Sequence, residues 1–317
     1  MLSKNTLNKS YPDNLKGAII LLFASLIWGS TFVPQKIAMD FWSPLQFTAI
    51  RFLIGAFLLL LIIPFFQLPK RLNLKPLIIY GLALGAFLGF AALFQQIGLV
   101  TTTATNAGFF TSLYVLLVPI IGIFLGSLPH FSLWIAVVIC IFGSMLLAVP
   151  EGNFILEKIN KGDIWVIIGS LLWAFHVQVL SFGVKKNPIM LLAILQFFFA
   201  SLVLFVFGFL FSPNDLLNFP NLFINPLVIG TLIYCSVGSV CIAFVLQMIG
   251  QRYSPPNEAA IIMSTEAIFA AFFGWLILSE FFNARIITGS LLIFIGIVIS
   301  QIYPMRNYKI FNVESEK

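Results

Sequence analysis

Long apolar segments alternate with short polar clusters along the whole chain. A helix that crosses a membrane needs about 20 consecutive, mostly apolar residues, whereas a strand of a membrane barrel needs about ten residues of alternating polarity. The segments here are of the first kind, so they predict helices. We place ten spans at residues 17–35, 44–66, 76–99, 104–126, 131–149, 163–183, 188–211, 226–250, 257–279 and 284–303.

The composition agrees with a protein whose solvent is mostly lipid. Of the 317 residues, 60% are apolar and 9% are charged, and the mean hydropathy is +1.06. A soluble domain normally carries about 25% charged residues. The chain could not cover a water-exposed surface with polar groups, so we expect a multi-pass membrane protein surrounded by the lipid bilayer.

Lysine and arginine residues are unevenly distributed between the two sides of the predicted helices. With the N-terminus in the cytoplasm, the cytoplasmic side carries most of them, an excess typical of that side of a membrane. We therefore expect both termini in the cytoplasm and the protein in a bacterial inner membrane. The same bias explains the net charge of +6, so we expect no nucleic-acid partner. The cytoplasmic residues are Lys4, Lys9, Lys16, Lys70, Arg71, Lys75, Lys185, Lys186, Arg252, Arg306, Lys309 and Lys317, and those of the outer loops are Lys36, Lys158, Lys161 and Arg285.

The second half of the chain repeats the first. Residues 17–28, "GAIILLFASLIW", align with residues 162–173, "GDIWVIIGSLLW", and "FQQIG" at 94–98 aligns with "LQMIG" at 246–250. The order of these matches is the same in both halves. They predict a cytoplasmic tail over 1–16, a five-helix repeat over 17–150, a second five-helix repeat over 151–303 and a cytoplasmic tail over 304–317.

An odd number of spans per repeat makes the second repeat enter the membrane from the opposite side. Such inverted repeats are typical of secondary transporters, whose two halves move around a site near the middle of the bilayer. The predicted fold is therefore an all-α membrane protein with ten transmembrane helices in two inverted five-helix repeats. This architecture favours alternating access over a purely structural duplication.

Five motifs follow one another along the predicted spans. They are "LIWGSTFV" in the first span, "AIRFLIGAFLLL" in the second, "TTTATNAGFFTSLYVLLVP" leading into the fourth, "SPPNEAAIIMSTEAIFAAFFGWLILSE" in the ninth and "GSLLIFIGIVIS" in the tenth. Together they resemble the drug/metabolite transporter superfamily, and specifically its ten-span EamA-type exporters, from residue 17 to about residue 303. The resemblance implies a central cavity lined by spans one, three, four, six, eight and nine. It also implies that spans five and ten serve packing or dimerisation, which leaves both a monomer and a homodimer open.

Two positions depart from the usual pattern of that family. Glu266 is followed by Ala267 where the family usually has proline, and the fourth span ends in "GSLPH" where the family usually has Gly-Glu. Glu280, after the ninth span, matches the terminal glutamate. These departures leave the predicted fold unchanged and concern which carboxylates function.

Polar and aromatic residues inside the predicted spans are the candidates for substrate binding. An ionised carboxylate at the centre of a bilayer costs about 3 kcal/mol or more. We therefore expect Glu266 to face a water-filled cavity and to bind a cationic group or carry a proton, the alternative being a protonated side chain that hydrogen-bonds another helix. For Arg51 we favour a structural anchor near the outer interface over pairing with a carboxylate. The predicted substrate-binding residues are Trp28, Tyr80, Gln95, Asn106, Tyr114, Trp173, His176, Tyr234, Gln247 and Glu266.

Each of these candidates also has a structural interpretation. His176 lies one turn after Trp173, so the two share a helix face, and the histidine suits either proton relay or packing. Trp28 and Trp173 occupy equivalent positions in the two repeats and serve either substrate contact or packing. Gln95 and Gln247 are also equivalent, and their amides either meet the substrate or bond neighbouring helices.

Transport fits the sequence better than catalysis. A Gly-rich phosphate loop followed by Lys and Ser or Thr is absent, so ATP does not drive the protein directly, and we expect no enzyme activity, no cofactor and no metal. We expect a secondary transporter that exports small metabolites such as amino acids or related amphipathic compounds by alternating access. The alternatives are proton-coupled efflux of cationic drugs and, from another class, a non-transporting membrane scaffold or lipid-binding protein. Substrate identity, coupling ion and direction stay open.

Overall fold

The protein is an all-helical bundle in the computed structural model, which describes residues 11–69, 71–148, 160–217, 219, 225–280 and 283–315. Side chains are described within residues 15–300, except at residue 148. Most of the predicted tail over 1–16 and the predicted repeat boundary at 150–151 lie outside the described residues. So do five of the basic residues that were used for orientation, namely Lys4, Lys9, Lys70, Lys158 and Lys317.

Ten long helices, numbered α1 to α10 here, follow one another along the described part of the chain. A short helix over Pro213–Leu217 lies between α7 and α8. The long helices are α1 (Tyr11–Ala38), α2 (Pro44–Ile62, extended by a 3₁₀ turn over Ile63–Phe65), α3 (Leu74–Leu99), α4 (Ala104–Ser112 and Tyr114–Phe124), α5 (Phe131–Ala148), α6 (Lys161–Lys186), α7 (Ile189–Phe211), α8 (Pro226–Tyr234, Cys235–Ala243 and Phe244–Tyr253), α9 (Pro256–Met263 and Glu266–Leu278) and α10 (Ala284–Ser315).

Eight of these helices are long and apolar enough to cross a membrane, as judged from the described residues. They are α1 to α4 and α6 to α9, and they coincide with eight predicted spans. The predicted spans 131–149 and 284–303 correspond to the shorter apolar stretches Phe131–Leu147 and Ala284–Ser300 of α5 and α10. The helix of α10 continues beyond the predicted end at 303, to Ser315.

Capping residues fix several helix starts close to their predicted positions. Ser43 accepts a hydrogen bond from the backbone of Gln46 at 3.1 Å, and Pro44 occupies the first turn of α2. Asn160 and Asp163 cap the start of α6 reciprocally, each side chain accepting from the other residue's backbone N–H. Such caps satisfy backbone donors that have no partner inside the helix.

Two helices predicted as continuous are broken at equivalent positions. α4 is interrupted at Leu113, and α9 is interrupted at Ser264 and Thr265. Around both breaks the backbone hydrogen bonds tighten to the i→i+3 pattern of a 3₁₀ turn, for example from Leu116 N to Leu113 O at 3.1 Å. Tight turns inside a helix often mark functional positions, and neither break lies at a proline.

The helices pack in pairs that are preserved when the two halves are exchanged. α1 packs against α8 and α9, as α6 packs against α3 and α4. α3 packs against α7 as α8 packs against α2, while α2–α7, α4–α9 and α5–α10 are contacts between equivalent helices. This arrangement surrounds a central region with α1, α3, α4, α6, α8 and α9.

Hydrogen bonds at one end of the bundle show how α1 and α6 are directed. Lys36, near the end of α1, donates to the carbonyl oxygens of Leu99 and Val100 at 2.7 and 3.2 Å. Asp163, at the start of α6, accepts a hydrogen bond from Thr102 in the same turn between α3 and α4. α1 therefore runs towards this end, which we call the Lys36 end, and α6 runs away from it.

The opposite end, which we call the Lys16 end, contains the start of α1. The Lys16 ammonium group lies 3.5 Å from the hydroxyl of Tyr253 at the end of α8. The Lys186 ammonium group, at the end of α6, lies 5.6 Å from the ring centre of Tyr80 in α3. Both contacts join a residue near the start of one helix to the end of another.

Candidate functional site

A cavity lies among α1, α2, α3, α4, α6, α8 and α9. The helices agree with those implied by the family resemblance, with α2 as an addition. The walls differ in chemistry, so the cavity can recognise more than one group of a ligand.

The helix breaks place Tyr114 and Glu266 in the cavity wall. Each is the first residue after its break, and the two are aligned with each other in the predicted repeat. Both are 4% exposed, and their side chains lie next to each other. The two side chains interact with each other, but among the described residues neither the Tyr114 hydroxyl nor Glu266 Oε1 has a hydrogen-bond partner of good geometry. A buried polar atom left in this way costs about 1–3 kcal/mol, so both atoms are available to water or to a ligand.

Gly29 brings α1 close to Glu266. A Cβ atom at this position would lie 2.2 Å from the Cβ of Phe269 and 2.9 Å from the carbonyl oxygen of Glu266. Only glycine permits this approach of two helix backbones, as is common at helix contacts in membranes. The approach holds α1 and its polar face against the second segment of α9.

An aromatic wall faces the same cavity. The Trp28 ring meets Phe244 edge-on at a centroid distance of 4.9 Å, and the Trp173 ring stacks on Phe244 at 5.8 Å. Phe244 follows the π-helical segment of α8, in which the carbonyl oxygen of Ser239 accepts hydrogen bonds from Phe244 N and from Trp28 Nε1. The Trp173 Nε1 atom has no partner among the described residues. The hydrogen bond from Trp28 to the π-helical segment therefore orients the Trp28 ring beside Phe244.

Arg51 enters the cavity from α2 and is held by α1. Its Nη1 donates to Gln35 Oε1 at 2.5 Å, and Gln35 Nε2 donates to the Thr31 hydroxyl at 3.2 Å. The guanidinium carbon lies 5.5 and 5.3 Å from the ring centres of Phe47 and Phe52. Within the described ranges no carboxylate pairs with this guanidinium, and its Nε has no hydrogen-bond partner.

This placement corrects the interpretation of Arg51 that we favoured from the sequence. The side chain is 3% exposed, so it does not extend to the membrane interface as an anchor. It turns inward because Gln35 accepts from one nitrogen and two aromatic rings flank the cation. Arg51 is therefore part of the cavity wall.

Glutamine residues at equivalent positions of α3 and α8 complete the polar lining. Gln95 Nε2 donates to the Thr111 hydroxyl at 2.8 Å, which ties α3 to the first segment of α4. Gln247 is 2% exposed, and its Oε1 has no partner in the described part of the chain. The two amides thus differ, because Gln95 is anchored and Gln247 retains a free acceptor.

The structure brings six of the ten predicted residues into the cavity lining and leaves four outside it. The His176 ring contacts Trp173 at 5.9 Å, but its Nε2 faces Gln196 Oε1 at 3.2 Å, on the side of α7. The remaining three lie near helix ends or on the bundle surface. Within the lining are Trp28, Gln95, Tyr114, Trp173, Gln247 and Glu266, and outside it are Tyr80, Asn106, His176 and Tyr234.

Each of those three makes a local contact. Tyr234 is 48% exposed, and its hydroxyl lies 2.8 Å from the Ser30 hydroxyl. Asn106 lies in the first turn of α4, where its backbone N–H donates to Thr103. Tyr80 lies beside Lys186 at the Lys16 end. The Tyr234 and Tyr80 contacts join neighbouring helices, and the Asn106 contact caps the start of α4.

Several lining residues were not among the candidates from sequence. Trp28, Thr31 and Gln35 are spaced by one helical turn, so a polar face of α1 could have been found from that periodicity. Phe244 has no such signal, because one phenylalanine among the 36 of this chain looks like any other apolar position. The lining residues not predicted as binding residues are Thr31, Phe32, Gln35, Arg51, Thr111, Val177, Ser239, Phe244 and Met263.

Comparison with known proteins gives a family, several relatives and a fold. The model of the EamA-like transporter family matches the chain twice, over residues 15–149 and 160–301. An "Uncharacterized transporter" of Archaeoglobus fulgidus is 32% identical over 280 residues, which cover 88% of this chain and 83% of the relative. The "Uncharacterized transporter YoaV" of Bacillus subtilis is 27% identical over 289 residues, which cover 87% and 94%. A solved structure titled "Crystal structure of protein" shares the fold with a TM-score of 0.72 at 16% identity, over 92% of this chain and 98% of that one.

Proposed function

This chain belongs to the EamA-like transporter family, within the drug/metabolite transporter superfamily, and we propose that it is a secondary transporter for small amphipathic metabolites such as amino acids. A membrane transporter follows from the family and from relatives named as transporters. The proposed cargo class, the export direction and the mechanism go beyond that assignment. The proposed location is the inner membrane of a bacterium, with both termini in the cytoplasm.

One observation carries the proposal. Within the described residues, twelve buried side chain atoms have no hydrogen-bond partner, and five of them belong to residues that line a single cavity beside an aromatic wall. Buried polar atoms are normally paired, so their concentration here favours a site that exchanges its partners with water and solute. The five atoms are Arg51 Nε, Tyr114 Oη, Trp173 Nε1, Gln247 Oε1 and Glu266 Oε1.

Alternating access around this cavity is supported by the symmetry of the packing. α1 and α6 run in opposite directions relative to the Lys36 end, and the family model matches the two halves separately. The breaks of α4 and α9 also fall at equivalent positions. We therefore propose ten spans in two inverted repeats, over residues 17–150 and 151–303, whose relative motion exposes the cavity to either side.

Counterflow in proteoliposomes tests the proposal without assuming a direction. Proteoliposomes loaded with an unlabelled amino acid are expected to accumulate the labelled form above the level of control liposomes that contain no protein. Met263→Trp, which fills the cavity, is expected to lower the rate at least tenfold, whereas Leu276→Trp on the same helix leaves it unchanged. Met263 lines the cavity and is 1% exposed, while Leu276 is 57% exposed. Both variants must keep the elution profile and unfolding temperature of the wild type.

A folded wild-type protein that moves no amino acid, nucleobase or amine in this assay would contradict the proposal. It would favour the non-transporting scaffold instead. Proton-coupled efflux of cationic drugs is a second candidate, because Glu266 Oε1 is a buried acceptor without a partner. That alternative requires amine transport whose rate differs between pH 6 and pH 8 in the wild type and no longer differs in Glu266→Gln.

A further inference from the structure

We propose that the cavity recognises a zwitterion, with Arg51 binding the anionic group of the substrate and Glu266 binding its cationic group. The inference rests on the proposed transport function and assigns the charge pattern that the cavity selects. It gives Arg51 a binding role in place of the anchoring role that we favoured from the sequence.

The surroundings of Arg51 call for an anion. Within the described residues, Gln35 accepts from Nη1 of the guanidinium group and no carboxylate balances the charge. A buried charge that is left without a partner is strongly destabilising. The two flanking rings attract the cation but carry no net charge. A planar carboxylate matches the fork of guanidinium donors, so a substrate carboxylate supplies the missing partner.

Another part of the lining favours a cation. Glu266 Oε1 and Gln247 Oε1 are both buried acceptors without a partner, on α9 and α8. An ammonium group carries three donors, which suits two acceptors and the adjacent Tyr114 oxygen. The Trp28 and Trp173 rings lie in the same lining and favour a nearby cation or an apolar side chain.

The two poles together favour a ligand that carries both charges over a ligand with a single charge. A purely cationic ligand would leave Arg51 unbalanced and place a second positive charge in the same cavity. A purely anionic ligand would leave the Glu266 carboxyl group without a donor. A small molecule with one carboxylate and one ammonium group satisfies both, and its side chain can lie against the Trp28–Phe244–Trp173 wall.

Matched triplets of compounds test this charge pattern. Each triplet contains an amino acid, its carboxamide and its deaminated acid, built on the side chains of leucine, phenylalanine and threonine, and each compound is tested both as cargo and as competitor. In the wild type we expect the amino acid to bind at least tenfold more tightly than either relative. A carboxamide or deaminated acid that binds as well as its amino acid would overturn the inference, and the transport proposal would still stand.

Two substitutions separate the poles. Arg51→Gln is expected to remove the preference for the amino acid over its carboxamide, and Glu266→Gln the preference over the deaminated acid. Arg51→Lys keeps the charge but not the fork, so we expect a partial preference, and it replaces Arg51→Gln if that variant does not fold. Lys186→Gln, outside the cavity, is the control and keeps both preferences. Variants that weaken the binding of all three compounds equally would contradict the assignment. A wild-type protein that transports none of the compounds would contradict the proposed function itself.

Discussion

Arg51 and Glu266 both line the cavity but differ in how they are held. Arg51 is fixed by Gln35 and two phenylalanine rings, whereas Glu266 lies beside Tyr114 with one oxygen unpartnered. Gln35 is the residue that determines whether Arg51 can accept an external anion, because an amide oxygen orients the guanidinium without neutralising it. Because Gln35 is neutral, the buried Arg51 cation stays available to an external anion.

Gln35→Glu is expected to abolish that availability while preserving the fold. A glutamate at this position would form an internal ion pair with Arg51 across the same 2.5 Å contact and would compete with the carboxylate of the substrate. We expect an unfolding temperature equal to or above that of the wild type and at least tenfold weaker amino-acid binding. Competition in the counterflow assay and thermal unfolding measure the two effects. Unchanged amino-acid binding in Gln35→Glu would show that Arg51 does not contact the cargo. Thr48→Ser, outside the cavity lining, serves as the control.

At the scale of elements, Glu280 joins the end of α9 to the start of α4. Its carboxylate accepts hydrogen bonds from Ala104 N at 2.9 Å, from Thr105 N at 3.1 Å and from the Thr105 hydroxyl at 2.5 Å. Ser279 has a left-handed backbone with φ of 57°, which turns the chain after α9 so that Glu280 points at the start of α4. A carboxylate at a helix start satisfies backbone donors and complements the helix dipole.

Glu280→Ala is therefore expected to destabilise the protein by about 1–2 kcal/mol. The loss arises because the first-turn donors of α4 are left without their acceptor. A lower unfolding temperature of the detergent-purified protein is the expected readout. Glu280→Gln retains one acceptor oxygen and should fall between the alanine variant and the wild type. Equal unfolding temperatures for all three would mean that water replaces the carboxylate at no cost.

For the whole molecule, the central question is how the two halves are oriented in the membrane. Contacts at the Lys36 end join the end of α1 to the turn that also meets the start of α6. α1 and α6 therefore begin at opposite ends of the bundle. Lys16 and Lys161 occupy equivalent positions at the starts of α1 and α6, and both are exposed.

Cysteines at these two positions report the orientation directly. In a background without the three native cysteines, Lys16→Cys should react with an impermeant maleimide only from the cytoplasmic side, because the positive residues of the loops favour that side. Lys161→Cys should react only from the outer side. Intact cells and inverted vesicles give the two measurements. Labelling of both positions from one side would contradict the inverted repeat, even if transport is observed.

The sequence alone determined the helices, most of their bounds and the family. Long apolar segments have few alternatives in lipid, since every backbone polar group must be satisfied within the segment. The starts at Pro44 and Pro226 coincide with the predicted bounds because proline suits the first turn of a helix. The breaks at Leu113 and at Ser264–Thr265 contain no proline or glycine, so no local sequence signal predicted that the helices would be interrupted there.

Only the tertiary structure decided which side chains share the cavity. Helices in lipid are apolar on nearly all faces, so the contrast between faces that orients a soluble helix is largely missing. Trp173 and His176 illustrate the result, because both lie on one face of α6 yet only Trp173 lines the cavity while His176 meets Gln196. Arg51 turned inward for the same reason, since its direction depends on an acceptor that α1 supplies from 16 residues away.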